Sequence, residues 1–152
     1  MVLEKAVPCV VRERNGGREL LIFRHPFVGV QIPKGTVEPG EDVADAAIRE
    51  LEEESGIATI ASSVKVGTWD RIMDAPAESG SQVGDLHRWH IFVIRTPEDL
   101  PERWDHVAIG SEEEDGLVFS YLWRRLDPSL VDTLNPLFAG TVAVLLHHFG
   151  LA

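Results

Sequence analysis

Glu50, Glu53 and Glu54 stand at i, i+3 and i+4 of a segment, 42–55, whose pattern predicts a helix. At about 100° per residue, with Glu50 at zero, Glu54 falls near 40° and Glu53 near 300°, so the three carboxylates share one edge. Ala44, Ala47, Ile48 and Leu51 fall between about 60° and 160°, an apolar stripe suited to docking on a sheet. Asp45 and Glu52 lie near 200° to 220° (roughly) and read as solvent residues. Like charges at such spacings cost about 0.2–0.5 kcal/mol per pair on an exposed helix. A helix chosen for stability alone would carry a lysine among them. Two readings follow. The edge is a solvated acidic face, or it is an oxygen-only ligand set for a hard divalent cation, Mg²⁺ or Mn²⁺, which also accepts phosphate oxygens as ligands.

The elements that must position this edge are readable on either side. Runs 7–11 and 19–23 flank Asn15-Gly16-Gly17 and predict a β-hairpin. A short extended piece, 28–32, ends at Pro33, and a loop carries the chain to the helix. Acids in the first turn and Gly56 just past the end mark the helix boundaries. Segments 64–73, 86–95 and 117–123 read as strands. The second is apolar on both faces, as a central strand would be. Segments 74–85 and 96–116 read as loops, and 137–149 as a closing apolar helix. The fold class expected is α+β, with a mixed sheet between the two helices in one domain, 1–152.

Charge and composition narrow the function. The chain of 152 residues carries 25 acids against 14 bases, a net charge of −11. Segments 38–54 and 112–115 account for the whole imbalance. Such a balance repels bare nucleic-acid phosphate, so nucleic acid is not an expected partner. No apolar run approaches the roughly 18 residues of a membrane span, and Met1-Val2-Leu3-Glu4-Lys5 lacks the basic-then-apolar layout of a secretory signal. The single Cys9 excludes an internal disulfide and a zinc framework, and reads as a small core residue of a cytoplasmic protein.

Gly35, five residues, Glu41, seven residues, then Arg49-Glu50-Leu51-Glu52-Glu53-Glu54-Ser55-Gly56-Ile57 resembles the Nudix box at every defined position. The flanking strands and apolar tail are also similar to the usual Nudix layout, an α/β/α sandwich. The resemblance implies a metal-dependent hydrolase of nucleoside diphosphates linked to another group. It implies metal binding by Glu50, Glu53 and Glu54 with the carbonyl oxygen of Gly35, and a bracing ion pair between Glu41 and Arg49. The base that deprotonates water is then a box glutamate, Glu53 or Glu54, or an acid from a distant loop. In the second acidic cluster, Glu113 or Glu114 is expected as that added ligand or base, with a solvated loop as the alternative.

Substrate choice is set outside the box. Pro33-Lys34-Gly35 resembles the lead-in of dinucleoside polyphosphate hydrolases, and Lys34 would pair with a phosphate chain as a point charge. Phe27, Trp69, Trp89 and Trp104 are candidate base platforms, with Trp104 preferred because it falls in an expected loop. Arg88 shares a strand face with His90 and would reach phosphate if that face lined the cleft. The expected function is therefore Mg²⁺-dependent hydrolysis of a phosphoanhydride in a nucleoside or dinucleoside polyphosphate, Mn²⁺ substituting. The expected partner is a small nucleotide, with monomer and homodimer both open. The alternative is a non-catalytic nucleotide sensor, though binding alone would not require three repelling carboxylates. An allylic diphosphate isomerase is disfavoured, because no second cysteine or matching acid motif is present.

Overall fold

Asn15 and Gly16 take φ of 54° and 74°, the twist that joins two antiparallel strands tightly. Strands β1 (Val2–Arg14) and β2 (Gly17–His25) accordingly pair from Val11↔Leu20 to Arg14↔Gly17. In the computed structural model, which describes residues 1–76, 80–97 and 99–152, two short strands follow, β3 (Gly29–Gln31) and β4 (Gly35–Thr36). Next come helix α1 (Val43–Ser55), β5 (Ser62–Ile72), β6 (Leu86–Arg95), β7 (Arg103–Val107), β8 (Val118–Arg125) and helix α2 (Ala139–His148). The sheet order is β5-β6-β1-β2-β8-β7, with β3 on β2 and β4 on β1. β1 and β6 run parallel and the other pairings are antiparallel, so the sheet is mixed.

The division of labour along β1 matters for the site. Its far end holds the hairpin, while Val2 to Val10 pair with β6. On its other side, Lys5 and Ala6 pair with Thr36 and Gly35 of β4. The loop before the helix is thereby pinned to the middle of the sheet rather than left free.

Two cores form on opposite faces, giving the α+β sandwich expected. On one, Ala46, Ala47 and Leu51 of α1 pack with Ala6, Val10, Phe23, Phe92 and Tyr121. On the other, Val142 and Leu145 of α2 pack with Val7, Cys9, Trp89 and Ile91. Trp89 meets Phe138 edge-on at 5.5 Å. Asp42 caps α1 by accepting from the Ala44 backbone N–H at 2.8 Å, and Gly56 closes it at φ 82°.

Three departures from the sequence reading have physical causes. Residues 103–107 form an edge strand, not a loop; they alternate exposed and half-buried, a pattern hidden by their polar composition. Ile48, expected on the docking stripe, is only half-buried and lines a hollow with Asp45, Glu52 and Glu53, while Ala46 takes its place in the core, because the helix is rotated toward its carboxylate edge. The closing helix begins at Ala139, after two 3₁₀ turns at Pro128–Asp132 and Pro136–Phe138 that proline starts. The loops expected at 74–85 and 96–116 include residues 77–79 and 98, which lie outside the described residues. Among the described residues, no helix is long and apolar enough to cross a membrane.

Candidate active site

A helix ends with four carbonyls that have no partner inside it. In α1 all four are engaged. Glu52 O accepts from Gly56 N–H at 2.9 Å, and Glu53 O from Ile109 N–H at 3.2 Å and from His106 Nε2 at 3.2 Å. Glu54 O accepts from the Tyr121 hydroxyl at 2.9 Å, and Ser55 O from the Trp104 indole at 3.0 Å. Four donors, from Trp104, His106, Ile109 and Tyr121, come from β7, β8 and the loop between them. The turn that carries the glutamates is therefore clamped to the sheet, and none of His106, Ile109 or Tyr121 is singled out by the sequence.

Arg49 organises the acids. Its guanidinium donates to both Glu41 oxygens, at 2.8 and 2.9 Å, and to the carbonyl of Thr36 at 3.0 Å. Its Nη1 also donates to Glu50 at 2.8 Å and to Glu53 at 3.2 Å. The bidentate bond to Arg49 holds the Glu41 carboxyl down at about 2. The ion pair implied for Glu41 and Arg49 thus forms and ties the loop at Thr36 to the helix.

The three glutamates meet different surroundings. A Cβ on Gly35 would sit 1.8 Å from Cδ of Glu50, so β4 approaches that carboxylate as only glycine permits. Gly110, at φ 90°, presses likewise on Glu53, whose oxygen would lie 2.3 Å from an added Cβ. Glu54 is buried and accepts from the Lys34 backbone N–H at 3.1 Å. Burial pushes its pKa well up, the Glu114 and Glu50 charges push the same way, and Lys34 opposes them. Glu50 is raised too, by burial first, against Arg49, with Glu53 and Glu114 adding to the rise.

A cleft of about 620 Å³ opens beside this edge. Its walls include Lys5, Lys34, Gly35, Glu50, Glu113 and Glu114, together with His25 and Phe27. The structure brings Glu113 and Glu114 to the cleft and leaves Glu112 off its walls. Glu114 reaches furthest inward: its carboxylate acts on Glu50 and Glu54 and lies 3.6 Å from His25 Nε2. Lys34 Nζ lies 5.7 Å above the Trp89 ring. Lys5, which the sequence reading did not single out, donates to Thr36 Oγ1 at 2.8 Å. Burial, and then the neighbouring Lys34 charge, lower its pKa to about 8.

Two expected substrate residues stand elsewhere. Trp104 sits on β7, stacked on Tyr121 at 5.0 Å, and lines a separate hollow of about 310 Å³ beneath the end of α1. The rigid strand in place of the expected loop turns it into a helix anchor. Arg88 is gripped by both oxygens of Asp70, each at 2.9 Å, and is not on the cleft wall. The cross-strand register places that aspartate directly opposite it.

Among the described residues, no three His, Cys, Asp or Glu side chains converge into a metal cage. The expected trio is divided: Glu50 and Glu53 turn to Arg49, whose positive charge relieves their repulsion, and Glu54 turns to the backbone of Lys34. The residues nonetheless fit a hard divalent cation. Every donor is oxygen, the carboxylates raise one another's proton affinity, and Gly35 leaves its backbone open against Glu50.

A NUDIX domain profile matches residues 2–127, and the chain belongs to that family. The RNA pyrophosphohydrolase of Rhodopseudomonas palustris (strain HaA2) is 34% identical over 101 residues, covering 62% of this chain and 57% of that protein. The chain therefore spans little more than half the length of that relative. The C. elegans Ap4A hydrolase structure superposes with a TM-score of 0.60 at 21% identity, covering 99% of this chain and 97% of that one. The NUDIX domain of Shewanella oneidensis NrtR, solved with ADP ribose, gives 0.66 at 12% identity, covering 100% and 90%. At these identities the two structures share the fold.

Proposed function

We propose that this chain, as one domain over residues 1–152, is a divalent-metal-dependent hydrolase of a phosphoanhydride bond in a nucleoside or dinucleoside polyphosphate. The observation that carries the reading is one cleft whose wall joins Gly35, Glu50, Glu113 and Glu114 to two lysines, Lys5 and Lys34. Mg²⁺ or Mn²⁺, held by Glu50, Glu53, Glu54 and the Gly35 carbonyl, would neutralise phosphate oxygens and lower the pKa of a water. Glu114 would serve as the base that takes a proton from the attacking water, a role supported by its charge acting on Glu50 and Glu54 from a separate loop. Glu113 also lines the cleft, and its charge acts on Lys5. Lys34 orients the phosphate chain, its backbone N–H fixed to Glu54 and its ammonium over the Trp89 ring at the cleft wall. Arg49 bridges Glu50 and Glu53 from one nitrogen and so fixes both carboxylates.

RNA pyrophosphohydrolase and Ap4A hydrolase among the similar proteins support a substrate with a run of phosphates. The test is incubation with diadenosine tetraphosphate, a nucleoside triphosphate and ADP-ribose, each with Mg²⁺ and with a chelator. Released nucleotide with Mg²⁺ and none with chelator is expected. Binding of these compounds with no product from any of them would overturn the reading in favour of a nucleotide-binding module.

A further inference from the structure

The acidic edge faces a wall of positive charge that the hydrolytic reading uses only in part. Lys5 and Lys34 line the same cleft, and the Lys34 charge adds to the burial that disfavours the Lys5 ammonium, with Glu50, Glu113 and Glu114 opposing it from further off than a salt bridge. Neither lysine has a carboxylate within salt-bridge reach among the described residues, although ten ion pairs made by arginines and the N-terminal amine do form there. The wall continues along the sheet. Lys5 pairs in register with Trp89, the ring beneath Lys34, and His87, two residues back on β6, pairs with Arg71 on β5. Lys5, Arg71 and Lys34 all act on the His87 ring. Holding like charges together in a half-buried groove is unfavourable unless an anion neutralises them.

Resting on the proposed hydrolytic reading, we infer that Lys5 is a phosphate-binding residue: with Lys34 it grips a phosphate beyond the bond being broken, and so selects chains of three or more phosphates over a lone diphosphate. The geometry separates the two tasks. Glu50, Glu53 and Glu54 lie on the α1 side of Gly35, where the diphosphate under attack would sit. Lys5 rises from β1 on the face that carries α2, on the other side of the same β4 segment. A diphosphate is spent on the acidic edge and its metal, and only a longer chain extends to the second lysine. The lowered pKa of Lys5 is consistent with a cation whose partner arrives with the substrate. The Thr36 hydroxyl, accepting from Nζ, holds the ammonium at the cleft wall.

Lys5→Met keeps the aliphatic stem and removes the charge, and Lys5→Arg restores it. With Mg²⁺, Lys5→Met is expected to lose roughly 10-fold to 100-fold in kcat/KM on diadenosine tetraphosphate, mostly through KM, the weight of a charge-assisted hydrogen bond. Its loss on ADP-ribose is expected to stay within about threefold, and Lys5→Arg to recover most of the tetraphosphate activity. Equal losses on both substrates would mark Lys5 as merely structural and overturn the inference. Calorimetric binding of inorganic tripolyphosphate without divalent metal decides it independently of catalysis. Tighter binding by the wild type than by Lys5→Met, by about tenfold, supports it. Equal binding, or none by the wild type, overturns it. Should the chain hydrolyse nothing, the hydrolytic reading falls while the tripolyphosphate result still stands for or against Lys5.

Discussion

Gly35→Ala separates a glycine needed by the fold from one needed by the site. Gly35 is not among the positive-φ residues, so alanine brings no backbone strain there. The new Cβ would instead fall 1.8 Å from Cδ of Glu50. Reaching ordinary carbon contact at about 3.5 Å requires the carboxylate to retreat by roughly 1.7 Å. Glu50 is a flexible side chain, so it can swing aside, losing its 2.8 Å bond from Arg49. A partly exposed charged bond of this kind is worth about 1–2 kcal/mol, a fall in Tm of roughly 2–8 °C for a domain this size. Catalysis should suffer far more, because displacing a positioned group by an ångström costs about 100-fold. Thermal melting and kcat/KM on diadenosine tetraphosphate read both effects. In the double variant with Glu50→Ala the clash has no partner, so adding Gly35→Ala should cost no further stability. A folded Gly35→Ala protein with near wild-type turnover would refute the placement of Glu50, and activity lost only in proportion to unfolding would refute its role.

Trp104→Phe removes the indole donor to Ser55 O while keeping an aromatic ring on Tyr121, and should destabilise by about 1 kcal/mol with KM unchanged; a large rise in KM would restore Trp104 to the substrate site. Lys5 titrates near pH 8 in the fold, below its ordinary 10.5, so between those values the unfolded chain binds the extra proton and stability rises with pH. Denaturant melts of wild type and Lys5→Met across pH 7–11 (about) should show that rise in the wild type alone, and parallel curves would refute the burial of its charge.

How much of this was legible in the sequence depends on where each constraint resides. The hairpin, α1 and strand β6 carry local signals: Asn15-Gly16, Asp42 and Gly56, and apolar alternation from Trp89 to Ile94. The family resemblance over 35–57 likewise implies the Glu41–Arg49 brace and sets Gly35 beside the glutamates, as the structure has them. What escaped is held by long-range register. Lys5 reaches the cleft because β4 pairs with β1, and nothing near Lys5 announces that pairing. Trp104, His106 and Tyr121 anchor the end of α1 from strands that adjoin it only in the folded chain. A helical wheel places three glutamates on one edge but cannot say that Arg49, beside them in sequence, draws two of them aside.

Manganese capture by the acidic edge tests the central claim most directly. Mn²⁺ titrated into the protein and followed by electron paramagnetic resonance reports the free ion, which protein binding removes from the spectrum. Glu53→Gln keeps the shape of the side chain and deletes one anionic oxygen ligand. The wild type should take up Mn²⁺ and Glu53→Gln should bind it roughly tenfold more weakly or worse, with unchanged melting. Uptake that is equal in the two proteins, or absent from both, would contradict the account.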